Sequence, residues 1–235
     1  MKILFIGHNT FKFTLASGKV LLSDPWFKNS FIWRATPPAF GPGEIGRIDF
    51  MLASHNHLDH IDGPSLELAR EQGSVVVGSK RVAERARKAG VEDVVALVPG
   101  EEKNFDGFSV KATPAFHPLA KDAIGFLIKT GGRIIYFSGD TRLDPRLTEF
   151  LQKNLPIELA FLQISCARYF GKDDGLNVFT AAELASAIKA QIVVPMHLHA
   201  RFKHNQGGVE KFKQLLSGSG IQPLVFGLGE EKAIE

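Results

Sequence analysis

Three histidines and a carboxylate crowd the run Ser54-His55-Asn56-His57-Leu58-Asp59-His60, which continues as Ile61-Asp62-Gly63 and follows the apolar stretch 48–53. A buried strand explains the apolar stretch, but a strand exit has no need of four metal-capable groups. Neutral imidazole and carboxylate are ordinary ligands of Zn²⁺ and related divalent ions. An extended backbone across the first three positions points His55 and His57 to one side, because side chains alternate along a strand. Asp59 and His60 come after a further turn and reach a second point nearby. One segment can therefore serve two metals with two ligands each. The chain holds eight histidines in 235 residues, and composition alone rarely places three of them within six positions.

Further candidates sit where apolar strands should end. His117 closes Thr113-Pro114-Ala115-Phe116-His117, Asp140 lies in Ser138-Gly139-Asp140-Thr141, and His197 ends Pro195-Met196-His197. Taken singly, each is more often a cap or turn residue. A sheet can bring all three to one edge, where sites gather. His8, just after Gly7, reads first as a structural histidine. Arg142, Arg168, Arg201 and Lys203 each follow one of these strand ends, and a guanidinium there suits a phosphate or carboxylate. With 28 basic residues in the chain, such proximity is also common by chance. No dedicated base is evident for Ser165 or Cys166, so both read as wall residues. His199 is a candidate leaving-group acid, and His204 a solvated surface residue.

The elements needed to position these groups can be outlined. Residues 2–6, 10–16 and 19–23 read as short strands, the last ended by Asp24-Pro25. The segment 26–43 mixes Trp26, Phe27, Phe31, Ile32, Trp33 and Phe40 with prolines and glycines, which argues for a loop that packs on the core, packs against another subunit, or walls a substrate pocket. A helix over 64–72 stopped by Gly73, a strand at 75–77, a helix over 80–89 capped by Ser79 and a strand at 94–97 then alternate. Strands follow near 108–117, 124–129, 133–138 and 159–165. Thr180 and Glu183 form a capping box for a helix to about residue 189. A strand at 191–196, a helix at 207–216 and a strand at 222–226 complete the chain. Each half reads strands first and strand–helix alternation second.

Composition narrows the function classes. A net charge of +3 is too small to argue for nucleic acid by bulk electrostatics. The single cysteine, Cys166, excludes an internal disulfide and suits a reducing compartment. The opening Met1-Lys2-Ile3-Leu4-Phe5-Ile6-Gly7 is too short for a signal peptide, and no apolar run approaches the roughly 20 residues of a membrane span. The expectation is a cytoplasmic protein acting on a small molecule, without a membrane span, and compatible with homo-oligomer formation.

The pattern His-x-His-x-Asp-His resembles the signature of the metallo-β-lactamase fold hydrolases. It differs from the helical zinc motif in which two histidines four apart flank a glutamate. His117, Asp140 and His197 match the later motifs of that superfamily in order and approximate spacing, so the resemblance covers essentially the whole chain. It implies an α/β fold of the αββα sandwich type, two mixed β-sheets flanked by helices, in a single hydrolase domain over residues 1–235. It implies that His55, His57 and His117 hold one metal, that Asp59, His60 and His197 hold another, and that Asp140 bridges them. The ions would be Zn²⁺, with Mn²⁺ or Fe²⁺ as alternatives. Histidine at position 57 favours a hydrolytic centre over the flavin-linked di-iron relatives, which carry an acidic residue there.

Within the superfamily, the Gly-His turn, Asp24-Pro25, the Ser-Gly-Asp-Thr block and Pro-Met-His are most similar to the L-ascorbate-6-phosphate lactonase-like hydrolases. In such relatives the Gly-His turn and Asp-Pro lie beside the metals, which makes His8 a substrate-contacting or supporting residue and Asp24 an orienter of a ligand histidine. His199 departs from the pattern, since relatives often carry an aromatic residue soon after the ligand. The resemblance thus implies a dinuclear hydrolase whose metal-bridging hydroxide attacks a small, anionic ester, lactone or phosphodiester. Asp59 and His199 would act in catalysis, with His8, Arg142, Arg201 and Trp33 contacting substrate. The alternatives are a phospholipase D-like or nuclease-type phosphodiesterase of the same fold, or a non-catalytic metal or ligand sensor.

Overall fold

The computed structural model describes residues 1–29, 34–169, 171–199 and 208–234. Backbone pairing builds two seven-stranded mixed sheets, one in each of two units. Among the described residues, the first unit draws on Met1–Val98, His199 and the segment from Phe226 onward, and the second on Pro99–Leu198 and the segment from Gly208 to Val225.

In the first unit, β1 (Lys2–Gly7), β2 (Thr10–Thr14) and β3 (Val20–Ser23) form an antiparallel meander. The polar turns His8-Asn9 and Ser17-Gly18 allow the reversals. Pairing then becomes parallel through β4 (Phe50–Ala53), β5 (Val75–Gly78) and β6 (Val94–Ala96). Parallel neighbours need crossovers, and helices α1 (Gly63–Gln72) and α2 (Lys80–Lys88) supply them. All four residues of β4 are buried, as expected of a central strand covered on both faces. Asp62 caps α1 by accepting the Ser65 N–H, and Gly73 ends it in the left-handed conformation at φ 64°. Ser79 occupies the start of α2 but makes no side-chain cap. The C-terminal strand Glu231–Ala233 pairs with β1, an addition that sequence periodicity did not indicate. Ile6, Leu22, Met51, Ile61, Leu66, Val76 and Val82 belong to the core of this unit.

The second unit repeats the plan. Strands β7 (Glu102–Phe105), β8 (Phe108–Pro114), β9 (Ile124–Thr130) and β10 (Arg133–Phe137) form an antiparallel meander. Helix α3 (Pro145–Gln152), capped by Asp144, precedes β11 (Leu159–Gln163), which pairs parallel with β10. A hairpin of β12 (Arg168–Tyr169) and β13 (Lys172–Asp173) then leads to α4 (Val178–Ala187). The parallel half ends with β14 (Ile192–Met196), α5 (Gly208–Leu216) and β15 (Gln222–Pro223). Leu162, Leu176, Leu184, Val193 and Phe212 lie in its core.

Several elements differ from the sequence expectations. Helix α4 starts two residues before Thr180, because Asn177 is the cap and Thr180 closes the box from its third position. Residues 145–152 form a helix, with Leu147 and Leu151 buried one turn apart, and residues 102–105 form a strand whose sequence shows no apolar alternation. The strand expected over 222–226 shrinks to two residues. Proline at 223 removes a ladder donor there. The α/β class with two mixed sheets and helices stands, and no helix among the described residues is long and apolar enough to cross a membrane.

Gly78 ends β5 beside the residue that leads into the histidine loop. A Cβ at this position would fall on the Ala53 carbonyl oxygen and the Val82 side chain. Gly78→Ala should therefore cost about 2 kcal/mol and lower Tm by roughly 5 °C, read by thermal denaturation. An unchanged Tm would show that β4 and β5 yield at this point without penalty.

Candidate functional site

Strand direction sets where the chemistry collects. In the first unit β1 and β3 are both antiparallel to β2, and β4 is parallel to β3, so β1, β3 and β4 end at one edge. His8, Asp24 and the loop from Ser54 leave from these ends. In the second unit β8 and β10 are both antiparallel to β9, while β11 and β14 run parallel to β10. His117, Asp140, Ser165 and His197 leave from these ends. Ligands bind outside carboxyl strand ends in open α/β sheets for the same reason.

The loop of the first unit is organised by Asp24. Ser54 donates its backbone N–H to Asp24 Oδ1 at 2.6 Å and its hydroxyl to Oδ2 at 2.8 Å. His60 Nδ1 lies 2.7 Å from the same Oδ2. The expected extended backbone over 55–57 is instead a series of bends. The rings converge all the same, with His55 Nε2 2.9 Å from His57 Nδ1. Bonds of about 2.0–2.1 Å to a tetrahedral ion put ligand nitrogens about 3.3 Å apart, so this pair is spaced as neighbouring ligands. A turn follows, in which the N–H groups of His60 and Ile61 both reach the His57 carbonyl at 3.1 Å. It brings ligand atoms of Asp59, His60 and His8 within 4.8 Å of one another. His8 Nε2 stands 3.6 Å from Asp59 Oδ2, and His60 Nε2 3.9 Å from it.

The second unit orients its imidazoles with backbone carbonyls. His117 Nδ1 lies 2.9 Å from the Asp174 carbonyl oxygen, and His197 Nδ1 3.0 Å from that of Ser165. Ser165 also donates its hydroxyl to the His197 carbonyl, so this serine holds a candidate ligand rather than lining a wall. His197 Nε2 approaches Asp140 Oδ1 at 3.2 Å. Gln163 accepts the N–H groups of Thr141 and Leu176 on one oxygen, at 3.2 and 3.1 Å, which ties the Asp140 turn to the segment after β13. Arg142 donates Nε–H to the Asp173 carbonyl at 2.5 Å.

These donor sets suit a divalent cation. His60, His117 and His197 each place Nδ1 on an oxygen acceptor, which puts the proton there and leaves the Nε2 lone pair as the ligand atom, the usual arrangement at metal-binding histidines. The backbone supports the same reading. Four non-glycine residues among those described have positive φ, and three are His8 at 59°, Asp24 at 33° and His197 at 69°. Such conformations cost about 1–3 kcal/mol each and cluster at functional sites.

Sequence reading missed Arg34, whose side chain is buried. Its Nη1 donates to the Trp26 carbonyl at 2.5 Å and its Nε to that of Thr36 at 2.8 Å, while the guanidinium carbon sits 4.3 Å from the centre of the Trp26 ring. Nη2 is buried and has no hydrogen-bond partner among the described residues. Burial pushes the Arg34 pKa down to about 10, against the opposing pull of Asp62 and Asp59. His199 is pushed down to about 4, by burial first and by the Arg34 charge second. Proline and aromatic density marked the segment but gave no reason to single out its arginine. Trp33, Arg201, Lys203 and His204 lie outside the described residues.

Imidazole and carboxylate donors at the strand ends of two mixed sheets define the class as a metal-binding α/β protein. The chain belongs to the β-lactamase superfamily, because residues 19–198 match the family model described as Beta-lactamase superfamily domain. A UPF0173 metal-dependent hydrolase of Caldivirga maquilingensis is 31% identical over 214 residues, 90% of this chain and 87% of that one. Among solved structures, Igni18, a metallo hydrolase from Ignicoccus hospitalis, has a TM-score of 0.82 at 21% identity over 100% of this chain and 98% of that one. An isothiocyanate hydrolase from Delia radicum gut bacteria has a TM-score of 0.85 at 19% identity, covering 100% and 99%. At such identities the structural likeness establishes the fold.

Asp24 generates a direct test. In Asp24→Asn one acceptor oxygen becomes an N–H₂ group facing the donors of Ser54 or His60. The protein should fold with a lowered Tm, and its zinc affinity should fall about 10–100-fold, measured by competition with a chromophoric chelator. Unaltered affinity would show that Asp24 orients no ligand.

Proposed function

We propose that the chain is a single hydrolase domain that holds two divalent ions, Zn²⁺ before Mn²⁺ or Fe²⁺, and cleaves a small anionic ester, lactone or phosphodiester. The observation that carries this reading is the uniform orientation of His60, His117 and His197, each with Nδ1 on an oxygen acceptor. In this proposal His55, His57 and His117 would hold one ion, Asp59, His60 and His197 the other, and Asp140 would serve both. Divalent ions there would supply hydroxide at neutral pH and polarise the oxygen under attack.

The remaining residues position and bind. Asp59, whose side chain is 24% exposed, is the loop carboxylate placed to accept a hydrogen bond from the nucleophile and aim it. His199 is neutral at neutral pH, given a pKa near 4. It therefore serves an oxygen of the substrate as an N–H donor, not as the charged leaving-group acid expected from sequence. Arg142 and Arg201 are assigned to the substrate anion and Trp33 to its wall, on their sequence positions. The lactonase-like grouping rests on the Gly-His, Asp-Pro, Ser-Gly-Asp-Thr and Pro-Met-His motifs. The single cysteine supports a cytoplasmic setting.

Metal analysis and a hydrolysis screen test this reading. Protein purified without chelator should carry close to two ions per chain, and chelation should abolish turnover. The screen should include lactones, phosphodiesters, RNA and, because a structural relative is an isothiocyanate hydrolase, isothiocyanates. Asp59→Asn should leave a folded, partly metallated protein whose kcat falls at least about a hundredfold. Trace metal in the wild type, or full turnover in Asp59→Asn, would remove the hydrolytic assignment.

The anionic substrate has its own consequence. Arg142→Ala should raise KM for the charged substrate by roughly tenfold or more while leaving KM for a neutral surrogate ester nearly unchanged, because losing one charge-assisted hydrogen bond costs about 1.5–3 kcal/mol. Equal effects on both substrates would make Arg142 a structural residue of the β12–β13 hairpin.

A further inference from the structure

His8 and His199 hold each other by an exchange of hydrogen bonds. The His8 backbone N–H donates to His199 Nδ1 at 3.1 Å, and the His199 backbone N–H donates to His8 Nδ1 at 3.2 Å. A backbone N–H can only donate, so both Nδ1 atoms carry lone pairs, and a neutral ring of this kind bears its proton on Nε2. The clasp needs a special backbone. His8 has φ 59° and the preceding Gly7 has φ 137°. A Cβ on Gly7 would stand 2.9 Å from Arg34 Nη2 and 3.4 Å from His199 Nδ1. Glycine there lets the two segments approach.

The consequence falls on Asp59. His8 Nε2 stands 3.6 Å from Asp59 Oδ2, and one ligand atom each of His8, Asp59 and His60 lie within 4.8 Å of one another, close enough to share a metal. Distance alone makes His8 a candidate ligand, but the tautomer does not, because a protonated Nε2 has no lone pair to give. We propose that His8 is a positioning residue that presents an Nε2–H donor to the Asp59 carboxylate, and that His199 fixes the tautomer which makes it a donor instead of a metal ligand. This rests on Asp59 being a ligand as proposed above. At 3.6 Å the pair is longer than a hydrogen bond, so the Nε2–H faces one Asp59 oxygen across a short gap and orients it electrostatically, as second partners orient the ligands of other metal sites. His199 acquires a task that its place after His197 did not announce.

Two measurements test the clasp and distinguish its failure from that of the hydrolase reading. Long-range ¹H–¹⁵N spectra of the metal-free protein should show His8 and His199 as Nε2–H tautomers, and zinc should leave the His8 pattern unchanged. A His8 Nδ1–H signal, or a His8 Nε2 that becomes zinc-bound, overturns the proposal. Zinc affinity is then compared in His8→Ala and His8→Gln. Both substitutions face the same left-handed backbone, so their difference reports the side chain. His8→Ala should keep the wild-type zinc stoichiometry at saturation but weaken one site about 10–100-fold, and His8→Gln, which restores an N–H donor, should recover most of the loss. Loss of a whole zinc equivalent from His8→Ala would make His8 a ligand, and equal affinity in all three proteins would leave it nothing to position. If the wild type binds no zinc, the hydrolase reading fails and with it the task assigned to His8. The spectra still decide whether the clasp fixes its tautomer.

Discussion

A buried carboxylate must find donors for both oxygens or lose its charge. Asp24, wholly out of solvent, faces the Ser54 N–H, the Ser54 hydroxyl and His60 Nδ1. These groups belong to the first and last positions of the histidine loop, so one carboxylate fixes both its departure from β4 and its return. His55 and His57 lie between these two anchored positions, with His55 Nε2 2.9 Å from His57 Nδ1. Removing one neutral donor from this buried carboxylate costs about 1.5–3 kcal/mol. The left-handed backbone of Asp24 persists because the network outweighs its strain.

The same parity of strand directions governs both units. Two reversals in the meander return β3 to the sense of β1, and β10 to that of β8, before parallel pairing begins. Every segment carrying a candidate ligand therefore leaves from the carboxyl end of its strand. This repeated plan is the physical content of the likeness between halves seen in the sequence. It was legible because buried parallel strands show as continuous apolar runs and amphipathic crossovers show as helices.

Other parts of the site were hidden for identifiable reasons. The strand-end residues His117, Asp140 and His197 could be found because metal-capable types followed apolar runs. Their orienters could not, since Ser165 and Asp174 act on the histidines through main-chain carbonyls that every residue possesses. Arg34 lies in a segment read only as an aromatic loop, and its burial depends on the Trp26 ring and on carbonyls two and eight residues away. Asn177 is hidden as a cap in the sequence because Thr180 and Glu183 offer an equally plausible box three residues later. The extended backbone expected at 55–57 failed for a related reason. Alternation predicts convergent side chains in a strand, whereas here bends and the Asp24 anchor achieve the convergence.

The partners of the three oriented histidines differ in charge, and this makes the proposed ligands unequal. His60 faces an anionic carboxylate, whereas His117 and His197 face neutral carbonyls. A carboxylate partner raises the basicity of the opposite nitrogen more than a carbonyl does, because it stabilises the positive charge that a bound cation induces on the ring. His60 would accordingly be the strongest imidazole donor of the three. Under the proposed partition, the ion taking His60 beside carbonyl-backed His197 would be less acidic than one whose oriented histidine is the carbonyl-backed His117 alone. A difference in Lewis acidity within the proposed pair would thus follow from which group supplies the orienting oxygen.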